Sequence, residues 1–414
     1  MTPISNIPTS FPKEDIKVLL LENVHASGIE IFKGEGFQVE TINRALKEDE
    51  LAERLQDGVH LLGIRSKTKV TAKALDAGKR LLSVGAFCIG TNQIDLEAAK
   101  RCGVPVFNAP FSNTRSVAEL VICEIVMLSR HLGDRSREVH EGKWRKVAKG
   151  SHEVRGKTLG IVGYGHIGSQ VGILAEAMGL RVIAFDVKAT LSMGNVRHIP
   201  TLDELLEQSD FVTLHVPETP QTKGMIGAKE LARMKPEASL LNLSRGTVVD
   251  LEALAAAIKG GKLAGAALDV YPEEPEGNED VFASIVCNLP NVILTPHIGG
   301  STAEAQEAIG REVANTLVRY TNSGSTAGTV NFPIIEQAKL PGAHRVLNVH
   351  RNVPGVLREI NKIVADRNAN VLGQVLATDA DVGYLMMDLD KALATEVRDA
   401  IRALSTSIKT RILY

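Results

Sequence analysis

With 414 residues, the chain is well beyond the roughly 150 residues of an average domain, so several domains are expected rather than one core. Apolar residues at 44% and charged residues at 23% sit near globular averages and exclude disordered, collagen-like and disulfide-scaffold classes. Lysine plus arginine number 47 against 49 aspartate plus glutamate, a formal net charge of −2, so no overall positive field gathers nucleic acid or an anionic bilayer.

The opening MTPISNIPTSFPKEDIK has no apolar run after a basic start and reads as a loose leader, not a secretory signal. From Lys17, apolar runs alternate with amphipathic stretches: KVLLLE, HASGIEIFKGEG, FQVETI, KEDELAERL and VHLLGIR. The apolar runs lack period-2 alternation, as strands covered on both faces do, and this spacing predicts parallel βαβ units. SVAELVICEIVMLSRHL predicts a long helix with Ser116 and Glu119 at capping-box spacing, buried on more than one face. That helix either joins two domains or lines a subunit contact. A second set of strands, KTLGIVG, RVIAFD, FVTLHV, SLLNLS, AGAALDV and NVILTPH, predicts a second α/β domain. TNSGSTAGTVNFP has the composition of a flexible connector, and Pro341-Gly342 punctuates the chain again. The tail then runs as strand HRVLNVH, helix PGVLREINKIVADR, strands NVLGQVLAT and VGYLMMDLD, helix ALATEVRDAIRAL and strand IKTRILY. This βαββαβ order is the ferredoxin-like plan, and so small a module needs docking or dimerisation to support its core.

Cys88, Cys102, Cys123 and Cys287 form no C-x-x-C pair and no zinc-ligand spacing. They read as reduced thiols of a cytoplasmic protein, and no metal site is expected. The most apolar stretch, Leu120 to Leu128, is interrupted by Glu124 and falls well short of the roughly 20 residues that span a bilayer.

Gly163-Tyr164-Gly165-His166-Ile167-Gly168 fits G-x-G-x-x-G between the strand KTLGIV and a helix in which Ile167, Val171, Leu174 and Met178 share a face. Its glycines permit a tight turn and let a pyrophosphate approach N–H groups at the positive end of a helix, so a dinucleotide is the expected ligand. Asp186 ends the strand RVIAFD, where a carboxylate accepts from ribose hydroxyls and repels a 2′-phosphate, favouring NAD over NADP. Lys188 nearby weighs slightly the other way. Three later segments, NLSRGTVVD around Arg245, LDVYPEEP around Glu274 and LTPHIGGST around His297, each follow an apolar run and so emerge at the carboxyl ends of strands. Taken singly, each residue is as readily structural as functional. Together they suit one reaction: a guanidinium holds an α-keto acid's carboxylate, a histidine exchanges a proton with the 2-oxygen, and a carboxylate orients the imidazole and raises its pKa.

Through GYGHIG, NLSRG, DVYPEEP and TPHIGGST in that order, residues 17 to 330 resemble the D-isomer-specific 2-hydroxyacid dehydrogenase family, and the tail resembles an ACT regulatory domain. The resemblance implies a Rossmann-type nucleotide domain at 111–297, inserted in a flavodoxin-like substrate domain at 1–110 and 298–335, with a ferredoxin-like ACT domain at 343–414. By the same resemblance Arg245 binds the substrate carboxylate, His297 is the acid/base and Glu274 its partner. NAD contacts are implied at Gly163, Gly165, His166, Ile167, Gly168, Asp186, Leu243, Ser244, Arg245, Asp269, His297, Ile298, Gly299 and Gly300. Arg65, Ser66, Asn113 and Gln306 match substrate contacts; Lys67 is as well explained as a solvated charge, and Arg44 stands where a neighbouring subunit's basic residue reaches a phosphate. In the tail, His350, Asn352 and Gly355 match a serine-binding loop, and Asn370 the facing contact across a domain dimer. Trp144, the single tryptophan, matches one near a subunit contact. The combination implies NAD-dependent oxidation of D-3-phosphoglycerate to 3-phosphohydroxypyruvate, L-serine feedback through the ACT tail, a side reduction of 2-oxoglutarate and a homotetramer. Two rivals share the motifs: a dehydrogenase for another D-2-hydroxy acid, and a non-catalytic NAD-sensing protein of the corepressor type.

Overall fold

Near-continuous apolar runs make strands that need cover on both faces. In the computed structural model, which describes residues 9–188, 191–275 and 280–414, such runs build two parallel sheets. The first contains β1 (Lys17–Leu21), β2 (Gln38–Ile42), β3 (Leu61–Ile64), β4 (Ser83–Ala86) and β5 (Val106–Asn108), in the flavodoxin-like order β2-β1-β3-β4-β5. The second contains β6 (Thr158–Val162), β7 (Arg181–Phe185), β8 (Arg197–His198), β9 (Phe211–Leu214), β10 (Ala238–Asn242), β11 (Leu263–Leu268) and β12 (Val292–Leu294). Its order, β12-β11-β10-β9-β6-β7-β8, is the doubly wound plan with a topological switch between β6 and β9. The two-residue β8 carries Arg and His and left no apolar signal to read. A third, antiparallel sheet in the order β14-β15-β13-β16 holds β13 (His344–Arg351), β14 (Val371–Thr378), β15 (Val382–Leu389) and β16 (Ser407–Leu413).

The chain divides into two compact units, Met1–Ser112 with Gln306–Tyr414, and Asn113–Ala305. In the first, one face of the third sheet is covered by its own helices, Val356–Asp366 and Ala394–Arg402, around Val346, Ile360, Leu385 and Val397. The other face, through Leu347, Val349, Tyr384 and Leu413, joins a core with Phe107, Val313, Leu317 and Tyr320. Docking therefore supplies the apolar cover that so small a module lacks by itself. Arg345 and Asp388 form a fully buried ion pair at 2.7 Å, and Arg345 also donates to the carbonyls of Ser323, Gln337 and Ala338. Each buried charge thus has its hydrogen bonds satisfied.

Three sequence expectations change. The expected flexible connector is packed: Thr326 is bonded to Pro333 and Ile335, and Asn331 accepts from Val106 and donates to Val104. Its serines and threonines serve as buried hydrogen-bonding groups, which composition does not distinguish from linker chemistry. No capping box forms at Ser116. The helix starts earlier, at Thr114–Arg130, where Ser116 pairs with Thr302 and Glu119 with Arg115. This helix fully buries one stripe, Val117, Val121, Glu124, Ile125 and Leu128, while Cys123 is exposed. Finally, the first eight residues of the expected loose leader lie outside the described residues, but the rest is anchored, with Phe11 at 4.8 Å from the His60 ring and Lys13 paired with Glu35 at 2.6 Å. Among the described residues no helix is long and apolar enough to cross a membrane, and no cluster of potential metal ligands is found.

Candidate active site

In the Asn113–Ala305 unit, β6 leads into the helix His166–Ala177 through the glycine turn. Each glycine has its own reason. Gly163 has φ +92° and a Cβ there would lie 2.4 Å from the His215 carbonyl oxygen; one on Gly168 would lie 2.3 Å from that of Gly163. A Cβ on Gly165 would meet nothing within 4 Å. The outer two permit the turn and close helix packing, and the middle one leaves open the space a pyrophosphate needs at the helix N-terminus. Asp186 follows β7 and accepts from the N–H of Tyr164 and of Lys188, both at 2.8 Å, which ties the strand end to the glycine turn. This arrangement fits a dinucleotide.

At the carboxyl ends of β10, β11 and β12 the three polar segments converge. Asn242, fully buried, accepts from the Ser244 N–H and hydroxyl and donates to the Arg245 carbonyl, shaping the turn that presents Arg245. Gly246 has to be glycine: a Cβ would lie 1.9 Å from the carbonyl carbon of Tyr271, so the Arg245 turn presses on the segment that carries Glu274. Tyr271 donates its hydroxyl to the carbonyls of Leu268 and Thr295, both at 3.0 Å, joining β11 to the loop before His297. Asp269 is buried and accepts from Thr295, Ile298 and Gly299. Asn113 lies against Gly300, whose Cβ would sit 2.4 Å from its amide nitrogen.

His297 adopts φ +55°, uncommon away from glycine and a form of strain that collects at functional sites. Its Nδ1 lies 2.8 Å from Glu274 Oε2. That hydrogen bond raises the imidazole pKa above its ordinary value and outweighs burial. For Glu274, burial works to raise the carboxyl, but the bond from His297, its charge, the Tyr271 N–H and the Arg245 charge together hold it below the usual range. Arg245 therefore bears electrostatically on both partners. With Nδ1 engaged, Nε2 is the ring nitrogen available for proton exchange. A cation for a carboxylate and an oriented imidazole can bind a 2-hydroxy acid and take its hydroxyl proton, and a dinucleotide held at the glycine turn would supply the hydride acceptor.

The other sequence-predicted residues lie in the Met1–Ser112 and Gln306–Tyr414 unit or elsewhere in the Asn113–Ala305 unit. Arg65 and Ser66 follow β3, and Gln306 lies on the helix Ala303–Ser323. Arg44 is exposed and bonded to Glu50 through both terminal nitrogens. His350 is buried, with Nδ1 at 2.9 Å from Asn348, whereas Asn352, Gly355 and Asn370 are exposed. Leu243 is 7% exposed behind Ser244, and Trp144 is 85% exposed. Sequence reading missed Asn242 and Tyr271. A polar residue closing an apolar run, as in LLN, is the signal that finds the first; the second acts through Thr295, a contact distant in sequence.

The fold and this trio define an NAD-dependent dehydrogenase of the D-2-hydroxyacid class. A protein-family model for the NAD-binding domain of D-isomer-specific 2-hydroxyacid dehydrogenases matches residues 122–299, and one for an ACT domain like that of the AHAS small subunit matches residues 347–409. A D-2-hydroxyacid dehydrogenase of Lactobacillus delbrueckii solved with NAD is similar with a TM-score of 0.67 and 27% identity, over 76% of this chain and 100% of that one. D-3-phosphoglycerate dehydrogenase of Dictyostelium discoideum is 55% identical over 98% of this chain and 99% of its own length. The Escherichia coli K12 enzyme of that name is 48% identical over 98% and 99%. The chain belongs to the D-3-phosphoglycerate dehydrogenase family.

Proposed function

We propose that this chain oxidises D-3-phosphoglycerate to 3-phosphohydroxypyruvate and that L-serine restrains it through the ACT domain. The single observation that carries the chemistry is the 2.8 Å Glu274–His297 bond beside Arg245. Arg245 fixes the substrate carboxylate and polarises C2. His297, held in the tautomer with Nδ1–H toward Glu274, takes the C2 hydroxyl proton on Nε2, and the resulting imidazolium is stabilised by the Glu274 charge. NAD, cradled by Gly163, Gly165, His166, Ile167 and Gly168 with Asp186 on its ribose, supplies the hydride acceptor. Leu243, Ser244, Asp269, Ile298, Gly299 and Gly300 complete its surroundings. Asp269, which organises the Ile298 and Gly299 amides, keeps the segment after His297 in place.

The phosphorylated end of the substrate is assigned to Arg65 and Ser66, with Asn113 and Gln306 as further contacts. The loop of His350, Asn352 and Gly355 is assigned to serine, with Asn370 as the facing contact across a domain dimer; Asn352, Gly355 and Asn370 are exposed, and His350 is buried against Asn348. Exposed apolar side chains at Leu132, Val139, Trp144 and Val147, and at Val371, Leu372 and Val375 on the edge strand β14, support assembly into a tetramer with paired ACT domains. Four free cysteines suit a reducing compartment, the cytoplasm. The test is NADH oxidation with 3-phosphohydroxypyruvate and with unphosphorylated keto acids, each with and without millimolar serine. Preference for the phosphorylated acid and inhibition by serine are expected; equal rates on unphosphorylated acids overturn the substrate, and indifference to serine overturns the regulation.

A further inference from the structure

We propose that Glu22 is a positioning residue for the substrate loop: its buried carboxylate ties down the backbone of residues 65–68 and thereby holds Arg65 and Ser66 ready for the acid. The inference rests on the reading that Arg65 and Ser66 touch substrate. Glu22 follows β1 and is 8% exposed. Its Oε1 accepts from the N–H of Thr68 at 2.7 Å and of Arg65 at 3.3 Å, and its Oε2 accepts from the N–H of Lys67 at 2.9 Å. Three successive-turn amides around one anion form a nest of the kind that binds phosphate, here filled by the protein's own carboxylate. Within 65–68, the Ser66 N–H is the one amide Glu22 does not take. On the other side of the loop, Gln93 donates to the Arg65 carbonyl at 2.7 Å. Both main-chain polar groups of Arg65 are thus fixed from within the protein.

The backbone at Glu22 is unusual in a way that serves this contact. Glu22 and Asn23 have φ +63° and +60°, a left-handed pair that non-glycine residues seldom adopt. The Glu22 N–H is held by the carbonyls of Ile42 at 2.9 Å and Arg44 at 3.3 Å. Such strain persists only where the surroundings over-determine it, and it marks places where a side chain must be aimed. Here it accompanies a carboxylate bound beneath the loop after β3.

The test compares Glu22→Gly, which suits the left-handed backbone, Glu22→Gln and Arg65→Met in the full-length enzyme. Measured are KM and kcat for D-3-phosphoglycerate, NADH affinity by fluorescence titration, and thermal unfolding. Glu22→Gly is expected to raise KM by about ten- to a hundredfold, the cost of misplacing a substrate contact by about an ångström, with NADH affinity unchanged. Glu22→Gln is expected to lose less, because its carbonyl oxygen still accepts from Arg65 and Thr68 while its NH2 opposes the Lys67 N–H. Wild-type KM in a folded Glu22→Gln and Glu22→Gly pair, with a raised KM in Arg65→Met, overturns the positioning role and leaves the substrate reading intact. Wild-type KM in Arg65→Met overturns that reading itself. If Glu22→Gly does not fold, Glu22→Gln decides alone, and NADH affinity falling in step with KM also overturns the proposal.

Discussion

Glu124 offers the sharpest quantitative test, because its carboxyl lies 1% exposed on the helix Thr114–Arg130 with neither oxygen hydrogen-bonded among the described residues. Burial, and after it the Asp269 charge, pushes its pKa from 4.5 to about 8. In the unfolded chain the group ionises near its ordinary value, whereas in the folded chain it stays protonated until about pH 8. The unfolded state therefore releases the proton first, and stability falls as pH rises from 4.5 through about 8. At about 1.4 kcal/mol per pH unit, the whole interval amounts to about 5 kcal/mol. Glu124→Gln removes the titration while keeping size and polarity. Its stability relative to the parent should grow by about 1.4 kcal/mol per pH unit across that window and level off above it. Urea denaturation of both proteins, followed by far-ultraviolet circular dichroism at steps of pH, reads the difference in the unfolding of the Asn113–Ala305 unit. Parallel stability profiles would refute the buried, neutral carboxyl.

Glu274→Gln should remove the charge that raises the His297 pKa. The parent imidazole is raised, so its ion-pair stabilisation is present below its unfolded value and lost as pH rises through the folded one. In the variant the midpoint of the kcat/KM profile for oxidation should move to lower pH, while reduction at neutral pH drops by about tenfold or more; an unmoved midpoint contradicts the pairing. Gly165→Ala should fold normally, since a methyl there meets nothing within 4 Å, yet weaken NAD binding by about tenfold or more by filling the pyrophosphate's approach. Gly168→Ala, whose methyl would lie 2.3 Å from the Gly163 carbonyl oxygen, should instead lower thermal stability. Equal NAD affinity in Gly165→Ala and the parent would remove the glycine turn from the cofactor site.

Local pattern determined much of this protein. Uninterrupted apolar runs such as KVLLL and TLGIV specify strands covered on both faces, and their spacing specifies parallel βαβ winding. The glycine turn and the residues closing each strand, Asp186, Arg245, Glu274 and His297, were legible because parallel sheets gather the carboxyl ends of their strands on one edge. Tertiary structure decided the rest. Serines and threonines at 323–329 look alike in a linker and in a packed segment, and only the edge of β5 gives Thr329 its bridge to Phe107 and Asn331 its side-chain bond from the Val106 N–H. Ser116 has the spacing of a cap, yet Thr302, 186 positions away, takes its hydroxyl. Glu22 and residues 65–68 meet across more than forty residues of chain, and Glu124 looks like an ordinary helix glutamate until the fold withdraws water from it. Sequence pattern records what neighbours along the chain prefer; burial and hydrogen-bond partnership come from groups that only folding makes neighbours.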